Sequence, residues 1–441
     1  MFTKQFKNLC LTVICLSFAM QVTLANAQPK IEFWQTHNGA RVYFIHTPQL
    51  PIVDIGVVFA AGSAYDGNQF GLSALTNDVL SQAAAGLSAD QIAAGFDQVG
   101  AVFDTANSRE SATLSLRSLT DPKLLTPALT LFTQVLNQPT FAETGFKREQ
   151  ASQLVAIKSQ LESPDSVASN ALYQAIYPNH PYGHAIIGET ETVQRLTAND
   201  CRQFYQHYYV ANNAVVGIVG NVSTLAAKKI AEQIIGALPA GKAADVIPAQ
   251  PIANKSVSDR IPFPSTQTNI RLGQIGITRH NPEYYPLIIG NYVFGGSGLT
   301  SRLFKQIRDV HGLSYDAYSY FVPLSSKGPF IISLGTRNAK AQQALTITQE
   351  LLQTYVQQGP TADEVAKAKK YLTGSFPLYF ASNKDLLSNL LMLGFYKLPL
   401  DYFDTYVSKV NAVTLPQITQ ALQQTIKPNQ LVTVLVGEQS P

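Results

Sequence analysis

The sequence predicts an α+β protein that consists of two copies of one structural unit. The chain has 441 residues, which exceeds one ordinary domain and fits two domains of about 200 residues each. An order of predicted strands and helices over residues 52–161 recurs over residues 270–373. Between them, residues 238–258 are rich in Pro, Ala, Gly and Lys without a helical or strand period, which is typical of a linker.

The first copy begins with a β-branched apolar run, residues 52–60, which predicts a buried strand that ends at the turn Ala61-Gly62-Ser63. Leu72, Leu75 and Val79 then recur at spacings of three and four, which predicts a helix facing the core. The remaining elements are a helix over 88–99 with Ser88 as its N-cap, strands over 101–106 and 112–116, and long helices over 122–136 and 142–161.

The second copy follows the same order. It comprises a strand over 270–277, helices over 286–294 and 301–310, strands over 314–321 and 330–336, and long helices over 340–357 and 361–373. A repeat of this length indicates a domain duplication, because the repeats of solenoids are much shorter. The predicted organisation is a signal peptide over 1–27, an N-terminal domain over 28–238, a linker over 239–258 and a C-terminal domain over 259–441.

The N-terminus has the features of a cleaved signal peptide. Lys4 and Lys7 precede an apolar run over 9–20, and Ala25-Asn26-Ala27 supplies the small residues of a cleavage site before Gln28. The competing interpretation is a transmembrane anchor, but the run is shorter than the roughly 20 apolar residues that span a bilayer. We therefore expect a periplasmic or secreted protein that begins near Gln28 and has no membrane span after removal of the signal.

The composition of the mature chain excludes a disulfide framework. Removing residues 1–27 removes Cys10, Cys15 and two of the 32 basic residues, against 29 acidic ones, which leaves Cys201 and a net charge of +1. A large core must therefore stabilise the chain, and nothing in the charge indicates nucleic-acid binding. No neighbouring sequence marks Cys201 as a nucleophile, so we interpret it as a packed or partly exposed thiol.

Three separated segments carry recognisable motifs. The first contains Ala61-Gly62-Ser63 and Gly71-Leu72. The second contains His180-Pro181-Tyr182-Gly183, Ile187-Gly188, Tyr208-Tyr209, Asn212-Asn213-Ala214 and Gly220-Asn221-Val222, and the third contains Phe294-Gly295-Gly296-Ser297-Gly298, Ser301-Arg302-Leu303-Phe304, Ile307-Arg308 and Gly312-Leu313-Ser314-Tyr315. Together, and in this order, they resemble the pitrilysin/insulinase zinc peptidases, also called inverzincins, over essentially the whole mature chain. The resemblance implies two α/β sandwich domains of the LuxS/mitochondrial-processing-peptidase-like type, which form a clamshell.

The sequence departs from this family at the metal site. Alignment on Gly71-Leu72 places Ser73, Thr76 and Asn77 where active members have the H-x-x-E-H motif. The third ligand, a glutamate in the family, falls at about Ala156, within one or two residues. Hydroxyl, amide and methyl groups do not replace imidazole and carboxylate donors. We therefore expect no metal or other cofactor in this chain and no hydrolysis by the chain alone.

Other candidate ligands are weaker. Glu149 corresponds either to an acid that supports the metal site in the family or to a solvated helix residue. His180 and His184 are four residues apart, but the intervening Pro181 and Gly183 disfavour a shared helical face. The glycines over 295–298 lack the Lys-Ser/Thr pair of a phosphate-binding loop, and a turn before a helix capped by Thr300 or Ser301 is the better interpretation.

Arg308 and Tyr315 match the family's substrate-positioning pair. Gly312 predicts a turn between them, so both side chains are expected to reach one cleft. The resemblance implies that the arginine orients the substrate backbone and that the phenol stabilises the developing oxyanion. The alternative is structural, because arginine is favoured at helix C-termini and tyrosine in strands.

The resemblance leads to three functional hypotheses. The family includes bacterial pairs in which one chain carries zinc and the other carries the arginine and tyrosine, and this chain resembles the second kind. The leading hypothesis is that this chain forms a periplasmic heterodimer with a zinc-bearing homologue. The heterodimer binds peptide substrates, and Arg308 and Tyr315 of this chain complete the active site of the homologue in trans. The alternatives are a non-enzymatic scaffold or peptide-binding subunit, with residues 101–108 as the strand to which a peptide adds, and a zinc peptidase in its own right.

Overall fold

The computed structural model describes residues 30–250 and 257–438. The predicted signal peptide lies outside these residues. The first sheet has six strands in the order β1-β2-β8-β3-β7-β6. They are β1 (Ile31–Gln35), β2 (Arg41–His46), β3 (Ile52–Phe59), β6 (Val102–Asn107), β7 (Ala112–Leu119) and β8 (Ala214–Gly220), and a separate hairpin joins β4 (Ala83–Ala84) to β5 (Leu87–Ser88).

The second sheet has five strands in the order β11-β12-β10-β13-β9. Their bounds are β9 (Val257–Pro262), β10 (Gln267–Ile275), β11 (Ala317–Phe321), β12 (Pro329–Arg337) and β13 (Val432–Gly437). Read from β9, this order repeats β2-β8-β3-β7-β6 of the first sheet. The pairing repeats as well, because β2–β8 and β9–β13 are parallel and the remaining pairs are antiparallel. The predicted α+β class and the duplication are confirmed.

Helices accompany both sheets. In the first half they are Leu72–Val79, Ala89–Gln98, Pro122–Asn137, Glu143–Leu161, Pro164–Ile176, Thr190–Arg195, Ala198–Tyr208 and Thr224–Ile235. In the second half they are Tyr284–Asn291, Arg302–Phe304, Ala341–Gln358, Ala362–Ser375, Asn383–Phe395, Tyr406–Ala412 and Leu415–Thr425. Among the described residues, none of these helices has both the length and the apolarity to cross a membrane.

Three local predictions differ from the structure. The helix predicted over 286–294 spans Tyr284–Asn291 and continues as a π-helical segment over Tyr292–Gly296. The strand predicted over 314–321 begins at Ala317, because the preceding residues form a loop held by the Ser314 hydroxyl, which donates to the Asp316 carbonyl. The helix predicted over 301–310 becomes a π-helical turn at Lys305–Val310. Its predicted N-cap is present, since the Ser301 hydroxyl accepts from the Phe304 N–H at 3.2 Å.

Each half covers the other half's sheet with one helix. Helix Pro164–Ile176 lies on β10 and β13, and helix Asn383–Phe395 lies on β2, β3 and β8. Gly56 and Gly217, opposite each other in β3 and β8, allow the close approach of the second helix. A Cβ atom on either glycine would come within 2.6–2.9 Å of the Leu391 side chain. The packing between the two halves therefore requires glycine at both positions.

Buried polar contacts also join the halves. The Glu110 carboxylate accepts hydrogen bonds from the Tyr182 and Tyr396 hydroxyls and from the Ser325 N–H. Residues 239–250, within the segment predicted as a linker, form neither helix nor strand. The Pro248 carbonyl in this segment accepts from His180 Nε2 and from the Ser326 hydroxyl, both at 2.9 Å, so the segment bridges the two halves.

Candidate functional site

Helix Leu72–Val79, which carries the positions aligned with the zinc motif, is anchored at its start by a buried carboxylate. The Asp66 oxygens accept from the Gly71 and Ser73 N–H groups at 2.8 Å, which satisfies two amides of the first turn. Gly71 has φ +94°, a conformation that favours glycine, and a Cβ there would meet the Ile187 carbonyl at 2.7 Å. Burial raises the pKa of Asp66 to about 7.

Ser73, Thr76 and Asn77 are all fully buried. The Asn77 amide donates to the Ala106 carbonyl at 3.0 Å and its oxygen accepts from the Tyr209 hydroxyl at 3.0 Å. The Ser73 hydroxyl lies 3.1 Å from the Asn107 amide. These hydrogen bonds connect the helix to the edge strand β6 and occupy the polar groups of Ser73 and Asn77.

The third ligand position is also without a metal donor. Ala156 is exposed on helix Glu143–Leu161, and the structure does not bring it to the cluster. Gln153, one turn earlier, is buried and its amide donates to the carbonyls of Gly71 and Ile187 at 3.0 and 2.7 Å. Glu149 lies 3.9 Å from the Arg148 guanidinium in an ion pair, and burial raises the pKa of its carboxyl.

These residues do not fit a zinc ion. All donors at positions 73, 76, 77 and 153 are neutral, whereas zinc sites use imidazole, thiolate or carboxylate. Elsewhere in the described part of the chain, no three His, Cys, Asp or Glu side chains are grouped as a metal site. His180 and His184 bind different partners, since His180 accepts from the Tyr182 N–H and His184 stacks on Phe70 with ring centroids 4.2 Å apart.

Cys201, the one cysteine of residues 30–250 and 257–438, is buried beside this helix. Cys201 is free and fully buried, with the Thr76 side chain as its neighbour. Burial raises the pKa of the thiol to about 12. Because the thiolate is the reactive form of cysteine, this environment opposes a nucleophilic role.

The second half presents Arg308 and Tyr315 on a well-fixed loop. Gly312 has φ +59°, and the N–H groups of Gly312 and Leu313 donate to the carbonyls of Arg308 and Ile307 at 2.9 and 2.8 Å. The Thr336 hydroxyl donates to the Leu313 carbonyl, which ties the loop to β12. These contacts hold the backbone around the pair in one arrangement.

The side chains of the pair remain open to solvent. Tyr315 is 84% exposed and makes no hydrogen bond to any residue in the described ranges. The Arg308 guanidinium lies 4.9 Å from the centre of the Phe304 ring. Both residues line a cleft of about 480 Å³, so the structure brings together the two residues that the sequence predicted to share a cleft.

The cleft contains further polar residues that the sequence did not single out. Gln267 and Arg337 pair across the ends of β10 and β12 and line the same space, together with Asp316. Gln267 and Arg337 come together because of the register between β10 and β12, and no local pattern in the sequence reveals that register. A polar residue at a strand end is a weak signal on its own, because most strand ends are polar.

Comparison with known proteins agrees with this geometry. The model of the insulinase family, peptidase family M16, matches residues 41–190, and that of the peptidase M16 inactive domain matches residues 195–372. A crystal structure of a peptidase M16 inactive domain from Pseudomonas fluorescens is 36% identical, with a TM-score of 0.89, and the match covers 93% of this chain and 100% of that one. The chain belongs to the insulinase family.

Two insulinase-family relatives extend over nearly the whole chain. The uncharacterized zinc protease YmxG of Bacillus subtilis is 28% identical over 400 residues, 89% of this chain and 95% of its own. The non-peptidase homolog YmxG of Helicobacter pylori is 25% identical over 412 residues, 91% of this chain and 93% of its own. The predicted family is confirmed, and the neutral side chains at the metal positions fit a member without zinc of its own.

Proposed function

We propose that this chain is the zinc-free subunit of a periplasmic two-chain insulinase-family peptidase. A homologous partner carries the metal, and Arg308 and Tyr315 act on the substrate in trans. One contrast carries the proposal. The polar groups of Ser73 and Asn77 are buried and hydrogen-bonded within the chain, whereas the Tyr315 hydroxyl is exposed on a fixed loop.

The chemistry of the pair suits this role. An exposed phenol on a fixed backbone donates a hydrogen bond to an oxygen that becomes negative during attack on a peptide carbonyl, and pre-positioned donors of this kind accelerate acyl transfer. The guanidinium of Arg308, which lines the same cleft, offers several N–H donors to the carbonyl oxygens of the substrate backbone. The periplasmic location rests on the predicted signal peptide.

Reconstitution with the natural partner tests the proposal. The tagged chain is purified from its host, and we expect a homologue with an intact H-x-x-E-H helix to co-purify. Adding the purified chain to that partner should raise cleavage of an unfolded fluorogenic peptide. Replacing Tyr315→Phe should lower the stimulated kcat by about 100-fold, the usual cost of losing one oxyanion donor.

A matched control separates function from folding. Tyr371 is 57% exposed on helix Ala362–Ser375, and Tyr371→Phe should leave the stimulation unchanged. If the chain does not raise cleavage, or if Arg308→Ala combined with Tyr315→Phe stimulates as well as the unaltered chain, the proposal is wrong.

A second candidate, a non-enzymatic peptide-binding subunit, is favoured by strand β6. This strand is outermost in its sheet, and within the described residues it pairs with β7 alone. An open edge of this kind accepts an extended peptide as an added strand. Stable association with the partner and with peptide, without any rise in cleavage, would support this candidate against the first.

A further inference from the structure

The cleft beside Tyr315 holds two arginines without acidic partners. Arg308 and Arg337 are both exposed and line the same space. Neither forms an ion pair with a carboxylate of residues 30–250 or 257–438. Two other arginines of the second half do have acidic partners, since Arg302 binds Glu364 at 2.7 Å and Arg271 binds Asp165. Arg260 instead binds the Gln342 side chain and Arg279 lies over the Tyr396 ring, and neither lines this cleft.

The backbone that carries these two arginines is held in place. Arg337 is the last residue of β12 and stands opposite Gln267 of β10. Arg308 lies in the π-helical turn, an irregularity that is frequent at functional sites. The loop that connects the turn to β11 is tied to β12 by the hydrogen bond from the Thr336 hydroxyl. The cleft is therefore a pre-formed feature.

The charge of the cleft favours an anion. Two guanidinium groups and one carboxylate, that of Asp316, line it, which gives a net charge of +1. The neighbouring Lys305, Asp309 and His311 are exposed on the same helical segment but do not line the cleft. Tyr315 and Gln267 add neutral hydrogen-bond donors at the rim. Planar guanidinium groups bind carboxylates through paired N–H···O bonds, which lysine cannot reproduce.

We propose that this cleft recognises a carboxylate of the bound peptide and that Arg337 is the residue that determines this specificity. The inference rests on the proposed function, because it assigns a substrate class to the cleft in which Arg308 and Tyr315 act. The carboxylate comes from an acidic side chain or from the peptide C-terminus, and both present the same planar anion to the two arginines.

Peptide binding to the full mature chain tests the proposal without the partner. Three fluorescent, N-acetylated peptides of one unfolded sequence are compared by anisotropy. The first has an internal Glu and an amidated C-terminus, the second has Gln and a free C-terminus, and the third has Gln and an amidated C-terminus. We expect the first or the second to bind about tenfold more tightly than the third, the usual effect of a charge-assisted hydrogen bond.

Variants assign the preference to Arg337. Arg337→Gln should remove the tenfold preference, and Arg337→Lys should restore part of it. The matched control is Arg195→Gln, since Arg195 is also exposed but lies on a helix of the first half outside the cleft. A preference for the Glu peptide identifies an acidic side chain as the ligand, and a preference for the free C-terminus identifies the terminal carboxylate.

The outcomes separate this inference from the proposed function. Equal binding of all three peptides, or a preference that survives Arg337→Gln, overturns the inference while the stimulation of the partner still stands. A carboxylate preference that depends on Arg337 supports the inference even if the chain fails to stimulate cleavage, a result that would overturn the proposed function alone.

Discussion

Asp66 is expected to make the protein about 3 kcal/mol less stable at pH 8 than at pH 4.5. Burial raises the pKa of this carboxyl from 3.8 to about 7 in the folded state. Between these values the folded protein binds a proton that the unfolded chain releases, so the stabilisation is largest at low pH. It is lost as the pH rises through about 7, because the carboxylate must then be charged within the core.

The difference between the unaltered chain and Asp66→Asn isolates this contribution. Other carboxyls also titrate, since burial raises the pKa of Asp78 to about 6 while the Arg302 ion pair holds the pKa of Glu364 at about 2. The free energy of unfolding is measured by urea denaturation at pH 4.5 and pH 8. We expect the pH dependence of Asp66→Asn to be smaller by about 3 kcal/mol.

Asp97→Asn, which alters an exposed carboxyl on helix Ala89–Gln98, is the control and should keep the pH dependence of the unaltered chain. The absolute stability of Asp66→Asn is expected to fall at both pH values, because its amide retains one acceptor oxygen for the two N–H groups that Asp66 binds. If the pH dependence of Asp66→Asn equals that of the unaltered chain, the electrostatic reasoning about this buried carboxyl is refuted.

Four further predictions concern the core, the surface and the metal. Leu390→Ala should lower the free energy of unfolding by about 3 kcal/mol, because Leu390 is fully buried between the halves, and a urea titration that shows less than about 1 kcal/mol would contradict this. Gly217→Val should lower the free energy of unfolding by at least about 1 kcal/mol, because the added side chain overpacks against helix Asn383–Phe395. An unchanged melting temperature would contradict the close packing of this helix on Gly217. Tyr315→Phe should change stability by less than about 0.5 kcal/mol, because the side chain is exposed. Metal analysis after dialysis should find far less than one zinc per chain, and a stoichiometry near one would overturn the assignment of Ser73 and Asn77 as degenerate positions.

Much of the local structure followed from the sequence. Apolar periodicity located the strands and long helices that were predicted within the two copies to within a few residues, since the pattern of a half-buried element is present in its own residues. It did not single out β1, β2, β13 or the helices Pro164–Ile176 and Asn383–Phe395. The capping residue Ser88 was recognisable for the same reason, and its hydroxyl accepts from the Gln91 N–H as expected of an N-cap. The deviations occurred at the two π-helical segments, Tyr292–Gly296 and Lys305–Val310, and in the loop before β11, which a hydrogen bond from the Thr336 hydroxyl ties to β12.

The position of the third metal ligand shows the limit of spacing arguments. The sequence pointed to about Ala156, but the residue that reaches the start of helix Leu72–Val79 is Gln153. Which residues of a long helix contact a neighbouring helix depends on how the two pack, and on this helix Gln153 is buried whereas Ala156 is exposed. The chemical conclusion is the same at both positions, because neither side chain is a zinc ligand.

The sequence by itself determined the duplicated α+β unit, the family and the absence of zinc donors at positions 73, 76 and 77, because each depends on residue type and on spacing along the chain. Tertiary structure alone decided that helices Pro164–Ile176 and Asn383–Phe395 cover the sheets of the opposite halves and that Arg337 joins Arg308 in one cleft. The physical reason is that strand register and helix packing are set by contacts between residues far apart in the chain.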